Sequence, residues 1–149
     1  MEKPSYTYQI SESHQYYFFE SIGKTTIQKV VVYQSFEDTP DIVELAFGNL
    51  KSDLSIDVFA VSDNEDMPLI ISTVISTAFD YLEHHPEKTI YFSGSTPSRT
   101  RLYRAAITKS MENIEPLYQV FGLNNDAQIE IFNKNHTYTA FLINRKNEK

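Results

Sequence analysis

The first third of the chain is dominated by aromatic and β-branched residues that partly alternate with polar ones, a pattern typical of strands with one buried face. Three such stretches precede a polar break at residues 37–40: YTYQI at 6–10, QYYFFESIG at 15–23 and TTIQKVVVYQSF at 25–36. Gly23 and Lys24 lie where the last two stretches meet, and a hairpin turn is expected there. Strands joined by such short connections predict an antiparallel meander.

Further strand-like stretches follow, each bounded by turn residues. They are DIVELAFGNL at 41–50, LSIDVFAVSDN at 54–64, TIYFSGS at 89–95 and AQIEIFNKNHTYTAFLINR at 127–145. The last stretch is predicted to form two strands that pair as a hairpin around Asn133, Lys134 and Asn135. The strand that starts at Thr89 is expected to pair in parallel with its predecessor, through a right-handed crossover.

Two segments have the helical period instead. Between Met67 and His84 the apolar residues recur at helical spacing: Ile71, Val74, Ile75, Ala78 and Leu82. The second segment begins at Pro97, which suits a first helical turn, after Thr96 as the N-cap, and it ends before Pro116. Its inward face is predicted to carry Tyr103, Ile107 and Ile114.

This order of elements, with strands first, two helices inserted late and strands at the end, is that of an α+β domain. We expect a largely antiparallel, curved sheet with both amphipathic helices packed on one face. A chain of 149 residues has the length of one ordinary domain, so residues 1–149 are expected to form a single domain.

Composition and charge exclude several classes of function. Without cysteine, the chain has no disulfide framework and no thiolate ligand for a metal. It has no run of about 18 apolar residues and no signal-peptide pattern, so we expect a soluble, cytoplasmic protein without membrane contact. Residues 1–93 carry 15 acids and 5 bases, whereas residues 94–149 carry 5 acids and 8 bases. Because the acids are dense between residues 37 and 66, broad nucleic-acid binding is not expected.

The most distinctive polar feature is YFSGSTPSRTRLYR at residues 91–104, where three arginines fall within six positions. The stretch runs from a strand into the first turns of the second helix, where unpaired N–H groups and the helix dipole attract anions. The candidate anion-binding residues are Gly94, Ser95, Thr96, Arg99, Arg101 and Tyr103. Helical geometry directs Arg99 toward the sheet, Arg101 into solvent and Arg104 to the flank of the helix.

A structural role is the alternative for the same stretch. A guanidinium group that faces the sheet needs a carboxylate or a bound anion, because an unpaired buried charge is costly. The candidate carboxylate partners of Arg99 are Asp57, Asp63 and Asp66. Such a pair would join the second helix to the chain that leads into the first helix, and the arginines would then be architectural.

The histidines give weaker signals. Asp80 and His84 have the i, i+4 spacing that can hold a metal ion, but no third ligand is predicted beside them. His14 and His136 fall at predicted turns and are expected on the surface. We therefore predict no metal site and no cofactor.

The succession FFESIGK, LAFGNL, GSTPSRTRLYRAAI and TYTAFLINRK resembles a family of short bacterial proteins of unknown function that is frequent in Bacteroidota. The hallmark of that family is a GST-x-x-RTRLY stretch, which the segment from Gly94 to Tyr103 matches at every defining position. The resemblance spans nearly the whole chain and implies a single-domain bacterial protein in which this segment forms one unit. It implies no particular activity.

The favoured function is non-catalytic binding, in which the basic helix start accepts a phosphate, a carboxylate or an acidic protein surface. The alternative is an enzyme that acts on a phosphorylated or nucleic-acid substrate, with Arg99 and Arg101 as charge stabilisers and Asp57 or Asp66 as the base. No catalytic motif is present, so no catalytic residue is named. The opposite charges of the two parts of the chain predict a monomer or a weak, salt-sensitive dimer.

Overall fold

The computed structural model describes residues 5–57, 66–94, 96–114 and 116–146. Its elements in chain order are β1 (Gln9–Ile10), β2 (Tyr16–Ile22), β3 (Thr26–Ser35), β4 (Ile42–Leu50), β5 (Ile56–Asp57), α1 (Met67–His84), β6 (Thr89–Phe92), α2 (Pro97–Ile114), β7 (Tyr118–Leu123), β8 (Ile129–Ile131) and β9 (Ala140–Arg145). Within these residues the nine strands form one curved, unclosed sheet in the order β1-β2-β3-β4-β6-β9-β7-β8, with β5 paired to β4. The predicted α+β class with a largely antiparallel sheet is confirmed.

The N-terminal strands form the predicted antiparallel meander. β2 and β3 pair along their lengths, and the Gly23 N–H donates to the Thr25 carbonyl oxygen across the turn, at 3.1 Å. β3 pairs in turn with β4, with Val31 opposite Phe47. Because side chains alternate between the two faces of a sheet, Tyr17, Val31 and Phe47 share the face that packs on the helices.

Both predicted helices are present, and their predicted inward faces are buried. The buried residues of α1 include Ile71, Val74, Ile75, Ala78 and Leu82, and those of α2 include Tyr103, Ile107 and Ile114. At the start of α2 the Thr96 hydroxyl accepts the Arg99 N–H at 3.2 Å, as an N-cap does. Both helices contribute to one core with the same face of the sheet.

The core is rich in aromatic rings, and one of them attaches α1 to the sheet. Tyr33, on β3, stacks on Tyr81 with 4.3 Å between ring centroids. Its hydroxyl lies 2.8 Å from the Thr77 hydroxyl, so this buried polar atom has a partner. Burial raises the pKa of Tyr33 well above its usual value. These contacts hold the C-terminal half of α1 against β3.

The predicted C-terminal hairpin is wrong, because β8 and β9 do not pair with each other. β7, which the sequence pattern did not reveal as a strand, lies between them and pairs antiparallel with both. The Asn124 side-chain oxygen accepts the N–H groups of Asp126 and Gln128, at 2.9 and 3.0 Å, so the chain turns directly from β7 into β8. Asn133 and Asn135 form a turn in the connection to β9 instead of a hairpin turn.

β6 pairs in parallel, as predicted, but its partner is β4 rather than β5. β4 is long enough to meet β6 near its start, where Ile42 lies opposite Thr89, and β5 at its end, where Asn49 lies opposite Asp57. β5 has two residues within the described part of the chain, and residues 58–64 of the predicted strand lie outside that part. The pairing places β6, and the turn that leads into α2, near the centre of the sheet.

Candidate functional site

The turn between β6 and α2 is built around Gly94. A Cβ atom on this residue would lie 2.4 Å from the Thr100 backbone nitrogen and 2.5 Å from the Arg99 Cβ. The Gly94 N–H donates to the Thr100 hydroxyl at 3.1 Å, and that hydroxyl donates to the Thr96 carbonyl oxygen at 3.2 Å. Glycine therefore lets the end of β6 lie directly against the first turn of α2. Ser95, another candidate residue, lies outside the described residues.

Arg99 turns toward the sheet, as the helical phase predicts, and is half-buried. Its guanidinium carbon lies 5.1 Å from the centroid of the Phe47 ring, within the range of a cation–π interaction. Lys29 on β3 is only 1% exposed, and its ammonium group donates to the Asn49 side-chain oxygen. Burial lowers the pKa of Lys29, the charge of Arg99 lowers it further, and Asp66 opposes the shift. Arg99 therefore belongs to a packed, basic region on the sheet side of α2.

The three predicted carboxylate partners of Arg99 differ in their positions. Asp66 lies directly before α1 and accepts a hydrogen bond from the Tyr6 hydroxyl at 2.6 Å. Asp57 lies on β5, and Asp63 is outside the described residues. The pairing of Arg99 with one of these acids stays a prediction.

Tyr103 is the innermost candidate and is fully buried. Its ring lies edge-on to Phe47 and Phe92, at centroid distances of 6.4 and 4.9 Å. Burial raises the pKa of its hydroxyl group, and the charge of Arg99 opposes that shift. Within the described residues this hydroxyl has no hydrogen-bond partner, which is uncommon for a buried polar atom. Tyr103 is thus a core residue whose hydroxyl group is costly to bury.

On the other side of α2, Arg101 and Arg104 face a cavity of about 510 Å³. The cavity lies between the first turns of α2, the β7–β8 turn and the segment that precedes β9. Its lining residues are Gly94, Thr96, Pro97, Thr100, Arg101, Arg104, Asn125, Thr137, Tyr138 and Thr139. Two cationic side chains, four threonines and one amide therefore meet in one place.

Among the residues that the structure describes, neither arginine of the cavity is paired with an acid. Arg101 donates to the Ser98 hydroxyl at 3.1 Å, and Arg104 donates to the His136 carbonyl oxygen at 3.0 Å. Within the described part of the chain, no carboxylate oxygen lies within 4.0 Å of either guanidinium group. No aspartate or glutamate is among the lining residues. The cavity is therefore locally positive in a chain of net charge −7.

Tyr138 gives the cavity an aromatic wall. Its ring covers Gly122 on β7, where a Cβ atom would lie 2.3 Å from the ring. Its hydroxyl donates to Glu130 Oε1 at 2.8 Å, and His136 Nδ1 lies 2.7 Å from the same oxygen. The hydrogen bond from His136, and then that from Tyr138, lower the pKa of Glu130. This carboxylate is thus held by partners of its own beside the cavity.

The structure brings together only part of the predicted site. Gly94, Thr96 and Arg101 line the cavity. Arg99 and Tyr103 are not among its lining residues and lie on the core side of α2. The helical phase that separates Arg99 from Arg101 is confirmed by their burial, since Arg99 is half-buried and Arg101 is exposed.

The candidate residues predicted from the sequence did not include several residues that line the cavity. Arg104 follows Arg101 at i, i+3, a spacing that puts both side chains on one side of the helix. This spacing was the signal in the sequence that could have added Arg104 to the candidate site. Thr137 and Thr139 come from the connection to β9, whose pairing was predicted wrongly, and Asn125 comes from the turn after β7, which was not predicted as a strand. No local pattern indicates that these three residues lie beside α2, because their position depends on the order of the strands.

Comparison with known proteins identifies a family and no activity. Residues 2–146 match DUF6934, described as a family of unknown function. The expected resemblance to a family of unknown function is confirmed, while its association with Bacteroidota and its hallmark stay predictions. No curated protein and no solved structure matches the chain significantly. Among the described residues no helix is both long and apolar enough to cross a membrane.

Proposed function

The chain belongs to DUF6934, a family of unknown function, and we propose that it is a non-catalytic binding protein whose ligand is an anion held between Arg101 and Arg104. The observation that carries this proposal is that two guanidinium groups share one cavity and have no carboxylate partner within the described residues. A positive cavity in an acidic chain attracts anions while the rest of the surface repels them.

The chemistry of the lining supports a phosphate or carboxylate group. A guanidinium group carries five N–H donors, and Arg101 and Arg104 each make one hydrogen bond within the described residues. The remaining donors are available to the oxygen atoms of a ligand, in the planar geometry that suits both groups. Thr137 and Asn125 add a hydroxyl and an amide, and an anion at this position meets no acidic side chain of the lining.

The size of the cavity favours a small organic molecule over a lone anion or a flat protein surface. A volume of about 510 Å³ is within the roughly 300–1,000 Å³ that is usual for small-molecule sites. The Tyr138 ring and Pro97 supply apolar surface for the uncharged part of such a ligand. The proposed ligand is therefore a small molecule with one or two phosphate or carboxylate groups.

The geometry does not favour the enzymatic alternative. Arg99 and Arg101 lie on different sides of α2, so they are not arranged to stabilise charge on one reacting group. Asp57 and Asp66, the candidate bases, are not among the lining residues of the cavity. Arg99 fits the structural alternative, because it packs over Phe47. In this proposal Arg99 supports the packing of α2, whereas Arg101 and Arg104 bind the ligand.

Isothermal titration calorimetry of the full chain with inorganic phosphate, pyrophosphate and citrate tests the proposal at constant ionic strength. We expect saturable binding of at least one of these anions. Arg101→Ala and Arg104→Ala should each weaken that binding by about tenfold, equivalent to about 1.4 kcal/mol, because each removes a charged hydrogen-bond donor.

Lys109→Ala is the matched control. Lys109 is an exposed cation on the same helix that does not line this cavity, so its removal changes the net charge equally and should leave the affinity unchanged. An equal loss of affinity in the Lys109 variant would show that the anions respond to net charge alone. Failure of all three anions to bind would contradict the proposal.

Assembly and location are part of the same proposal. We propose a single domain that acts in the bacterial cytoplasm as a monomer or as a weak dimer held by charge. The uneven charge of the sequence supports a contact of this kind, because opposite charges attract between molecules and salt screens them. Light scattering at low and high salt measures the oligomeric state. A dimer that persists at high salt and low protein concentration would contradict the proposed weak, charge-dependent contact.

A further inference from the structure

A cluster of two histidines and one aspartate lies where the turn between β1 and β2 meets the last turns of α1. His14, Asp80 and His84 each place a ligand-type atom within 4.8 Å of the others. The sequence supplied only the Asp80 and His84 pair, one helical turn apart, and no metal site was predicted from it. The fold adds His14 from a distant part of the chain, so the cluster has the three ligands that the pair lacked.

Hydrogen bonding leaves one ring nitrogen of His84 available to a metal ion. His84 Nδ1 lies 2.9 Å from the Asp80 backbone carbonyl oxygen, which can only accept a hydrogen bond. Nδ1 therefore carries the proton in this contact, and Nε2 presents a lone pair. Metal-binding histidines are commonly oriented in this way, with the second ring nitrogen donating to a backbone carbonyl group or a carboxylate.

The Asp80 carboxylate is oriented from the sheet. The hydroxyl of Tyr17, on β2, donates to Asp80 Oδ2 at 2.7 Å. This contact uses Oδ2 and holds the carboxylate beside His84, and Oδ1 is the oxygen left to bind a cation.

We propose that His14, Asp80 and His84 bind a divalent transition-metal ion, for which Zn²⁺ is the best match. Two imidazole groups and one carboxylate are ligands that Zn²⁺ takes in four-coordinate sites. Three protein ligands leave one position for water or a small ligand. The carbonyl groups at the C-terminal end of α1, where Asp80 and His84 lie, also favour a cation.

Binding requires the His14 ring and the Asp80 carboxylate to change their orientation. The rings of His14 and His84 stack with 3.8 Å between centroids and 21° between planes, so their lone pairs run nearly parallel. His84 is held by its bond to the Asp80 carbonyl group, whereas His14 lies in the turn, with φ 56°. His84 therefore keeps its place, and the His14 ring and the Asp80 carboxylate turn toward its Nε2, because Asp80 Oδ2, which lies 3.6 Å from His84 Nδ1, already accepts the Tyr17 hydroxyl.

Zinc titration of the full-length, tag-free protein after removal of metals with EDTA tests this site. Competition with a chromophoric chelator measures the affinity, and elemental analysis measures the stoichiometry, which we expect to be one Zn²⁺ per chain. His84→Ala, Asp80→Asn and His14→Gly should each weaken binding by about tenfold or more, because the histidine variants lose a ligand and Asp80→Asn replaces a charged ligand with a neutral amide. Glycine is chosen at position 14 because it tolerates the left-handed backbone.

His136→Ala is the matched control, because His136 and Glu130 form a histidine–carboxylate contact of 2.7 Å without a third ligand among the described residues. Its zinc affinity should equal that of the wild type. Mg²⁺ in large excess should not displace Zn²⁺, since Mg²⁺ prefers oxygen ligands. Equal weakening in the His136 variant, displacement by Mg²⁺, or unchanged affinity in the His14 variant would overturn the proposal.

Nuclear magnetic resonance of the wild type gives a readout that does not depend on the folding of any variant. On addition of Zn²⁺, the imidazole resonances of His14 and His84 should shift together and saturate at one equivalent, while those of His136 stay in place. Shifts confined to other histidines, or no saturable shift, would overturn the proposal.

Discussion

Arg99 and Arg101 lie two positions apart on one helix and meet different surroundings. Arg99 packs over the Phe47 ring on the sheet side of α2, and its charge adds to the lowering of the pKa of Lys29 that burial causes. Arg101 faces an open cavity together with Arg104. Each helical residue turns the chain by about 100°, so residues two apart point to nearly opposite sides. A short run of like charges on a helix is therefore not automatically one site.

The largest loss of stability is expected from Gly94→Ala, because Gly94 lets the end of β6 lie against the first turn of α2, from which both arginines project. The added Cβ would meet the backbone nitrogen of Thr100 at 2.4 Å, so the turn must shift. We expect a loss of about 3 kcal/mol in the free energy of unfolding, measured by urea denaturation. Ser93→Ala, at the exposed neighbouring position, is the control and should be close to neutral. Equal stability of the two variants would show that the turn adapts.

Arg99→Ala should cost about 1–2 kcal/mol of unfolding free energy. The change removes the guanidinium group from the Phe47 ring and the packing of its stem, and it relieves a repulsion with Lys29. Chemical denaturation measures the loss, and Arg99→Lys keeps the charge without the planar group. A loss near 4 kcal/mol would instead indicate a buried ion pair with a carboxylate such as Asp57 or Asp66.

Tyr103→Phe should stabilise the protein by about 1 kcal/mol, because it removes a buried hydroxyl that has no partner within the described residues. Tyr33→Phe is the matched control: the Tyr33 hydroxyl contacts Thr77, so its removal should destabilise the protein by about the same amount. Thermal unfolding of both variants measures the two effects. A destabilised Tyr103 variant would reveal that its hydroxyl group has a partner such as a water molecule or a ligand.

Arg101→Ala should change the unfolding free energy least, by about 0.5 kcal/mol or less, because Arg101 is exposed and its hydrogen bond joins it only to Ser98. Its melting temperature should match that of the wild type while its affinity for the anionic probes falls. Equal destabilisation by Arg99→Ala and Arg101→Ala would contradict the division of α2 into a packed side and a binding side.

The helices were predictable because their signals are local. The apolar spacing between Met67 and His84 predicted the bounds of α1 that the structure has. Thr96 and Pro97 likewise marked the start of α2. The period, the cap and the proline all act within a few residues, so they can be recognised in the sequence without the rest of the fold.

The strands were predictable one by one, but their partners were not. Alternation and β-branched residues identified β2, β3 and β4, and short connections between them implied antiparallel pairing. The pairing of β6 with β4, and the place of β7 between β8 and β9, join residues far apart in sequence. Such pairing is selected by the packing of the whole sheet, which leaves no local pattern.

The sequence alone determined the directions of Arg99, Arg101 and Tyr103, because a regular helix turns by a constant angle for each residue. Only the tertiary structure decided what those side chains meet. It placed Thr137 beside Arg101 and Arg104 to complete a cavity, and it brought His14 to Asp80 and His84. The physical reason is that rotation along a helix is a local property, whereas the neighbours of a side chain depend on long-range pairing of the strands.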